Sequence, residues 1–169
     1  GSNQLAISDY TSALEYDSSY LEAYINRATT YTSIGLYEEA LSDADAAIGS
    51  QRFIVNGSNI GLAEAYNARA MANFGLGNIE RGLSDVSQAI TIDGNFARAY
   101  SNRSYMYTSV KELNLAIIDA SKAIALDPDL ATAYANRAEA HLRSNNLSKA
   151  VEDSSSALSR DSSLLGARV

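Results

Sequence analysis

Cysteine is absent from the chain, which rules out disulfide staples, thiolate zinc ligands and thiol catalysis. Histidine occurs once, at His141, so no imidazole cluster is available to hold a metal. Proline also occurs once and glycine ten times, too few breakers to interrupt long helices. Basic residues are scarce: Lys and Arg number 13 against 20 Asp and Glu, a net charge of −7 with no basic cluster. That balance suits neither nucleic acid nor an anionic lipid surface. No apolar run approaches the roughly 20 residues of a membrane helix, so direct membrane insertion is not expected. What remains is an acidic chain of 169 residues, 46% hydrophobic, long enough to bury a core. It carries little catalytic equipment, and neither enzyme activity nor a cofactor nor a metal is expected.

The chain repeats, and a repeat decides the fold before any single residue does. The segments YINRA (24–28), YNARA (66–70), YSNRS (100–104) and YANRA (134–138) align. A second block aligns as ALSDADAAI (40–48), GLSDVSQAI (82–90), AIIDASKAI (116–124) and AVEDSSSAL (150–158). Tyr24 to Ala40, Tyr66 to Gly82, Tyr100 to Ala116 and Tyr134 to Ala150 are each 16 residues apart. Tyr66 to Tyr100 and Tyr100 to Tyr134 are 34, and Tyr24 to Tyr66 is 42, so the first repeat carries eight extra residues. A further copy of the second block, AISDYTSAL (6–14), has no first block before it.

Each block reads as a helix. Leu21, Tyr24, Ala28, Tyr31 and Ile34 recur at three- and four-residue spacing, as do Leu41, Ala44, Ala47 and Ile48. Gly35, Gly77 and Asn145-Asn146 mark the turn inside a repeat. Between repeats stand Asp17-Ser18-Ser19, Asp93-Gly94-Asn95, Asp127-Pro128-Asp129 and Asp161-Ser162-Ser163, which offer capping side chains and turn residues for the next helix. Tyr20, Phe96, Leu130 and Leu164 follow them and are expected to pack on the next helix as staples. Nine helices are expected, the odd one first.

The chain resembles the tetratricopeptide repeat family, a 34-residue helix–turn–helix unit. The pattern is a large residue at Tyr24, Tyr66, Tyr100 and Tyr134, then a small one at Ala28, Ala70, Ser104 and Ala138. Small residues follow at Ala40, Gly82, Ala116 and Ala150, then at Ala47, Ala89, Ala123 and Ala157, and Asp127-Pro128 matches the closing Asp-Pro. The resemblance implies an all-α fold, an α-solenoid of antiparallel helix–turn–helix repeats forming a right-handed superhelix. The array divides into a half repeat at 1–20, repeats at 21–62, 63–96, 97–130 and 131–164, and the start of a helix at 165–169. Two departures stand out. The family's aromatic three residues before the last alanine is replaced by Ala44, Val86, Ala120 and Ser154, with only Tyr10 aromatic. The seventh position, usually leucine, is Arg27, Arg69, Arg103 and Arg137. Both suggest a variant core packing.

Each of these arginines has an aspartate 16 residues on: Asp43, Asp85, Asp119 and Asp153. One reading is an arginine ladder for an acidic ligand; the other, favoured, is one Arg–Asp bridge per repeat. A bond from Asp9 to Arg27 would mean that the bridges join neighbouring repeats. The residues before the arginines are Asn26, Ala68, Asn102 and Asn136. The resemblance places this position in a concave groove, like the asparagine ladder of the O-linked GlcNAc transferase superhelix, where amides hold a peptide backbone. An amide offers donor and acceptor together, which suits any peptide unit. The competing reading has these amides hydrating a helix face or bonding a neighbouring helix. By the same alignment the groove also holds Glu22, Thr29, Glu64, Asn67, Met71, Phe74, Arg98, Tyr105, Glu139 and Arg143, with Ile25 beside them. The family's clamp for a C-terminal carboxylate needs Lys and Arg at set positions. The matching positions here are Ile25, Thr29, Ala68, Arg98 and Asn102, or Asn67, Met71, Asn102, Thr132 and Asn136, so no such clamp is expected.

His141 aligns with Tyr31, Asn73 and Tyr107 and reads as packing, since no nucleophile or metal partner accompanies it. The insertion at 49–62 reads either as a lip contacting a partner through Phe53, Ile54 and Val55, or as lengthened helix. The chain starts inside a repeat and stops as another begins, as a piece of a longer repeat protein would. Ile7, Tyr10 and Leu14 of the orphan helix are expected to leave an apolar face open, a route to a homo-oligomer. The expected function is a protein-interaction module that holds a peptide or partner segment in the groove. The alternative is a structural spacer or self-assembly scaffold within a larger protein.

Overall fold

The computed structural model describes residues 1–50 and 59–165. Among them are nine α-helices and no strand: α1 (Ser2–Tyr16), α2 (Leu21–Ser33), α3 (Tyr37–Gly49), α4 (Ile60–Gly75), α5 (Ile79–Ile92), α6 (Ala97–Ser109), α7 (Leu113–Leu126), α8 (Ala131–Arg143) and α9 (Leu147–Arg160). A 3₁₀ turn spans Ser162–Leu165. The helices form two compact stacks, α1–α5 as far as Gly94 and α6–α9 from Asn95 on. In the first, α2 pairs with α3 and α4 with α5, α1 lies on α2, and α4 packs on both α2 and α3. In the second, α6 pairs with α7 and α8 with α9, and α8 packs on α6 and α7. The fold is an all-α helical repeat solenoid.

The turn inside each repeat closes the same way. Leu36, Asn78, Glu112 and Asn146 donate their amides to the carbonyls of Tyr31, Asn73, Tyr107 and His141, at 2.8–2.9 Å. The residue before each donor bonds three residues back, completing a Schellman motif. This geometry puts Gly35 and Gly77 at φ 79°, Asn145 at 60° and Lys111 at 65°. Lys111 is the position the sequence did not mark, and a side chain with a Cβ is strained there. Lys111→Gly is expected to stabilise the second stack by about 0.5–1 kcal/mol, strain relief exceeding glycine's greater unfolded freedom. A urea midpoint that stays level or falls contradicts this.

The turns between repeats differ from expectation. No described helix has a side-chain N-cap bond, and Tyr20, Phe96 and Leu130 themselves occupy the cap positions of α2, α6 and α8. The aspartates act behind the cap instead. Asp17, Asp127 and Asp161 end α1, α7 and α9 in extended conformation. Their Oδ1 atoms accept from the amides of Ser19, Asp129 and Ser163, two residues on. The carboxylate is consumed in closing this Asx turn, so it does not reach the next helix. The expectation for Leu164 rests on a side chain outside those described, and 162–165 is a 3₁₀ turn where a helix start was expected from 165.

The core is built mainly from alanine. Ala28, Ala40, Ala44, Ala68 and Ala72 form one cluster, with Tyr31 and Leu41 packed on it. Leu21, Ile25, Ala47 and Ala65 form another, joined by Tyr24, Ile48 and Leu62. Ala44, Val86 and Ala120 are fully buried where the repeat family places an aromatic. Small residues there let the paired helices approach closely. Gly75 answers the same demand: a Cβ on it would lie 2.3 Å from the Tyr37 ring.

Residues 60–62 of the insertion extend α4 to 16 residues, and Leu62 packs on the Leu21 cluster. The lip proposed at Phe53–Val55, and residues 166–169, lie outside the described residues. The open face expected on α1 is partly closed. Leu14 is buried and Ile7 and Tyr10 are half-buried, because α2 packs on this helix; Leu5 and Tyr16 are the large side chains left outside.

Candidate functional site

The repeating arginines are spent inside the fold. Arg27 donates Nε and Nη2 to the two carboxylate oxygens of Asp43 at 2.7 and 2.8 Å. The same side-on fork joins Arg69 to Asp85 (3.0 and 2.7 Å), Arg103 to Asp119 (2.7 and 3.0 Å) and Arg137 to Asp153 (both 2.8 Å). Each bridge therefore links the two helices of one repeat. Hydrogen bonds donated to the aspartates raise the pKa of all four guanidiniums, against the opposing effect of burial.

The remaining Nη1 ties successive repeats. Arg27 donates to Thr11 on α1, Arg69 to Asp45 on α3 and Arg137 to Ser121 on α7, at 2.9–3.1 Å. Asp9 stands exposed, and Thr11, two residues further on, is the acceptor instead. Tyrosines complete the setting. The Arg27 guanidinium lies 5.9 Å from the rings of both Tyr24 and Tyr31, and Arg103 lies 5.7 and 5.8 Å from Tyr100 and Tyr107. A guanidinium with its donors and faces so engaged is a packing element.

His141 occupies the register of Tyr31 and Tyr107 and is buried, its Nδ1 without a hydrogen-bond partner among the described residues. Burial lowers its pKa, with Lys149 and Arg137 acting in the same direction and Asp153 opposing them. Below about pH 6.5 the unfolded chain takes up a proton here that the folded chain refuses. Stability is therefore expected to fall with pH from about 6.5 down to the lowered folded-state value. His141→Tyr should flatten that slope, and equal slopes in urea titrations at pH 7 and 5.5 refute it.

The remaining candidate residues lie on the first helix of each repeat. On α2, Glu22, Asn26 and Thr29 are exposed. On α4, Glu64, Asn67, Met71 and Phe74 are half-buried. Ile25, placed in the groove by alignment, is instead buried with Leu21, Ala47 and Ala65, because α4 covers it.

In the second stack Arg98 and Tyr105 are exposed on α6 and Asn102 is half-buried. On α8, Arg143 donates Nε to Glu139 at 2.7 Å. Tyr105, Glu139 and Arg143 line a cleft of about 360 Å³ between α6 and α8. Thr108 and Ser109 complete it; sequence reasoning passed over both, since neither stands out from the surrounding polar residues.

Asn136 departs from the ladder. It is 9% exposed, and its Nδ2 donates to the Ser101 carbonyl and hydroxyl at 2.9 and 3.1 Å. A signal for this pairing exists in the sequence. Asn136 and Ser101 align with Ala68 and Ile25 in the first stack, so an apolar pair replaces a polar one. Ala68 is likewise buried, where an amide facing Ile25 would lack a partner.

A model of the tetratricopeptide repeat matches residues 21–53 and 97–130. Human sperm-associated antigen 1 is 30% identical over 94 residues, which is 56% of this chain and 9% of that protein's length. Among solved structures, TTC0263, a thermophilic tetratricopeptide repeat protein of Thermus thermophilus, aligns over 96% of this chain and 85% of its own. Its TM-score is 0.75 at 24% identity. The second such domain of Spaghetti (RPAP3), bound to the HSP90 peptide SRMEEVD, aligns over 61% of this chain and 95% of its own, with TM-score 0.59 and 27% identity. Repeat pattern, helix order and structural likeness all agree with the tetratricopeptide repeat, whose model covers two of the four full repeats.

Proposed function

We propose that the chain is a protein-interaction module that binds a peptide segment along the first helices of its repeats. The observation that carries this reading is the cleft between α6 and α8. Tyr105, Glu139 and Arg143 come from two helices and line one concavity of about 360 Å³. They combine an aromatic face with charges of both signs, which suits a polar extended segment. Asn26 and Asn102 supply backbone contacts, and Glu22, Thr29, Glu64, Asn67, Met71, Phe74 and Arg98 extend the surface within their own stacks. Asn136 is committed to Ser101, so it is not used as a probe of binding. The Spaghetti domain's HSP90 peptide supports a peptide ligand in general terms. The absence of the Lys/Arg clamp pattern argues for internal peptide segments over a C-terminal carboxylate.

A displayed library of random peptides, selected on the whole chain, tests this. Tyr105→Ala and Arg143→Ala are expected to weaken selected peptides at least tenfold. Ile118→Ser, on the exposed side of α7, should leave them unchanged. Selected peptides that bind all three variants equally would defeat the assignment.

One observation favours a second reading, self-assembly. Leu142, Leu147 and Val151 are 52–67% exposed and line an apolar cleft of about 590 Å³ between α8 and α9. At the same register in the preceding repeat, Thr108 is buried and Leu113 and Ile117 are half-buried, and α8 packs on their helices. Sedimentation would then show association that rises with concentration and disappears in Val151→Glu.

A further inference from the structure

The second repeat breaks the pattern of rings around its arginine. Arg27 and Arg103 are each flanked by tyrosines three residues before and four residues after. Arg69 has the first of these, Tyr66, with its ring centre at 5.2 Å. Four residues on, where Tyr31 and Tyr107 stand in the first and third repeats and His141 in the fourth, it has Asn73. That side chain is short, buried, and anchored through Nδ2 to Asp85 at 3.1 Å. Beside it a cleft of about 300 Å³ opens between α3, α4 and α5, lined by Leu41, Asp45, Arg69, Asn73, Arg81, Ser84 and Asp85.

Two arginines in a cleft suggest an anion site, but the geometry opposes it. The donors of Arg69 are directed to Asp85 and Asp45, at 2.7–3.0 Å. An incoming anion would face two carboxylates on the cleft wall. What the guanidinium still offers is its face, which attracts an aromatic ring. Leu41 supplies an apolar wall, and Arg81 and Ser84 supply polar groups for a hydroxyl. We propose that this cleft between α3, α4 and α5 receives a phenol ring, presented by a tyrosine of a partner protein, which takes the place that Tyr31 fills in the first repeat. The site is independent of the peptide-binding face described above.

The test uses the whole chain and two probes: p-cresol, and the peptide N-acetyl-Gly-Tyr-Gly-amide with its Leu counterpart as control. Binding is read by NMR from the Arg69 Nε–Hε resonance and from contacts between ring protons and the Leu41 methyls. Both phenolic probes are expected to shift Arg69 saturably at millimolar concentration, and the Leu peptide is not. Asn73→Tyr fills the cleft from within and is expected to weaken both probes at least tenfold, with helicity unchanged by circular dichroism. Should that variant misfold, the ring-to-Leu41 contacts in the parent chain decide. No saturable shift, or equal binding by a folded Asn73→Tyr, overturns the proposal. Binding of p-cresol without the tyrosine peptide overturns the partner side chain and assigns the cleft to a free phenolic ligand.

Discussion

Replacing Asp43 with alanine is expected to destabilise the first stack by about 2–4 kcal/mol. The carboxylate accepts two hydrogen bonds from Arg27, and the paired side chains are only 8% and 16% exposed. Removing one partner strands a partly buried guanidinium, which costs about 3–5 kcal/mol in dry interiors. Solvent reaches this pair at its edge, so a lower figure applies. Asp43→Asn keeps an acceptor and the volume and should lose about half as much. The double variant Arg27→Met/Asp43→Leu should recover most of the loss, because no charge is left unpaired. Repeat arrays unfold piecewise, so the readout is native-state hydrogen exchange of the α2 and α3 amides. A loss under about 0.5 kcal/mol for Asp43→Ala would show that the bridge is a surface pair of little weight.

Met106→Ala is expected to cost the second stack a similar amount, about 2–4 kcal/mol, by a different mechanism. Met106 is among the largest fully buried side chains of the described residues. The equivalent positions in the other repeats are Thr30, Ala72 and Ala140, all smaller. Methionine fills volume in α6 that the smaller residues at the same position of the other repeats do not. Truncation leaves a cavity in an otherwise close-packed stack. Met106→Leu keeps the volume and should cost less than about 1.5 kcal/mol. Urea unfolding followed at α6–α7 separates the two; equal stability of the alanine and leucine variants would mean that the site collapses without penalty.

Where the sequence was ambiguous, the cause is physical. The constant Arg-to-Asp offset predicted a bridge, yet the same spacing fits helices of one repeat or of two. Only the backbone path showed that Nε and Nη2 bind within a repeat while Nη1 reaches the repeat before. The asparagine positions look alike in sequence but range from exposed Asn26 to buried Asn136. What separates them is the covering helix: Ser101 of α6 meets Asn136, whereas only α1, a second-block helix, precedes Asn26, and that covering is a tertiary fact. Lys111 stayed hidden as a turn residue because its strained φ is imposed by two backbone hydrogen bonds and is not a preference of lysine. The Asp-Ser segments form the expected turns but not the expected caps, because a local Asx bond competes with capping for one carboxylate.

The sequence by itself determined the repeat length, the helix order, the glycine turns and the pairing of each arginine with its aspartate. These depend on contacts within a few residues or on a constant internal period, and both are written along the chain. The tertiary structure alone decided which polar residues remain at the surface, that the arginines are internal, and that Asn73 leaves a cleft beside Arg69. Burial depends on what a neighbouring helix covers, and a neighbour's reach is set by side-chain volumes that meet only when the stack is formed.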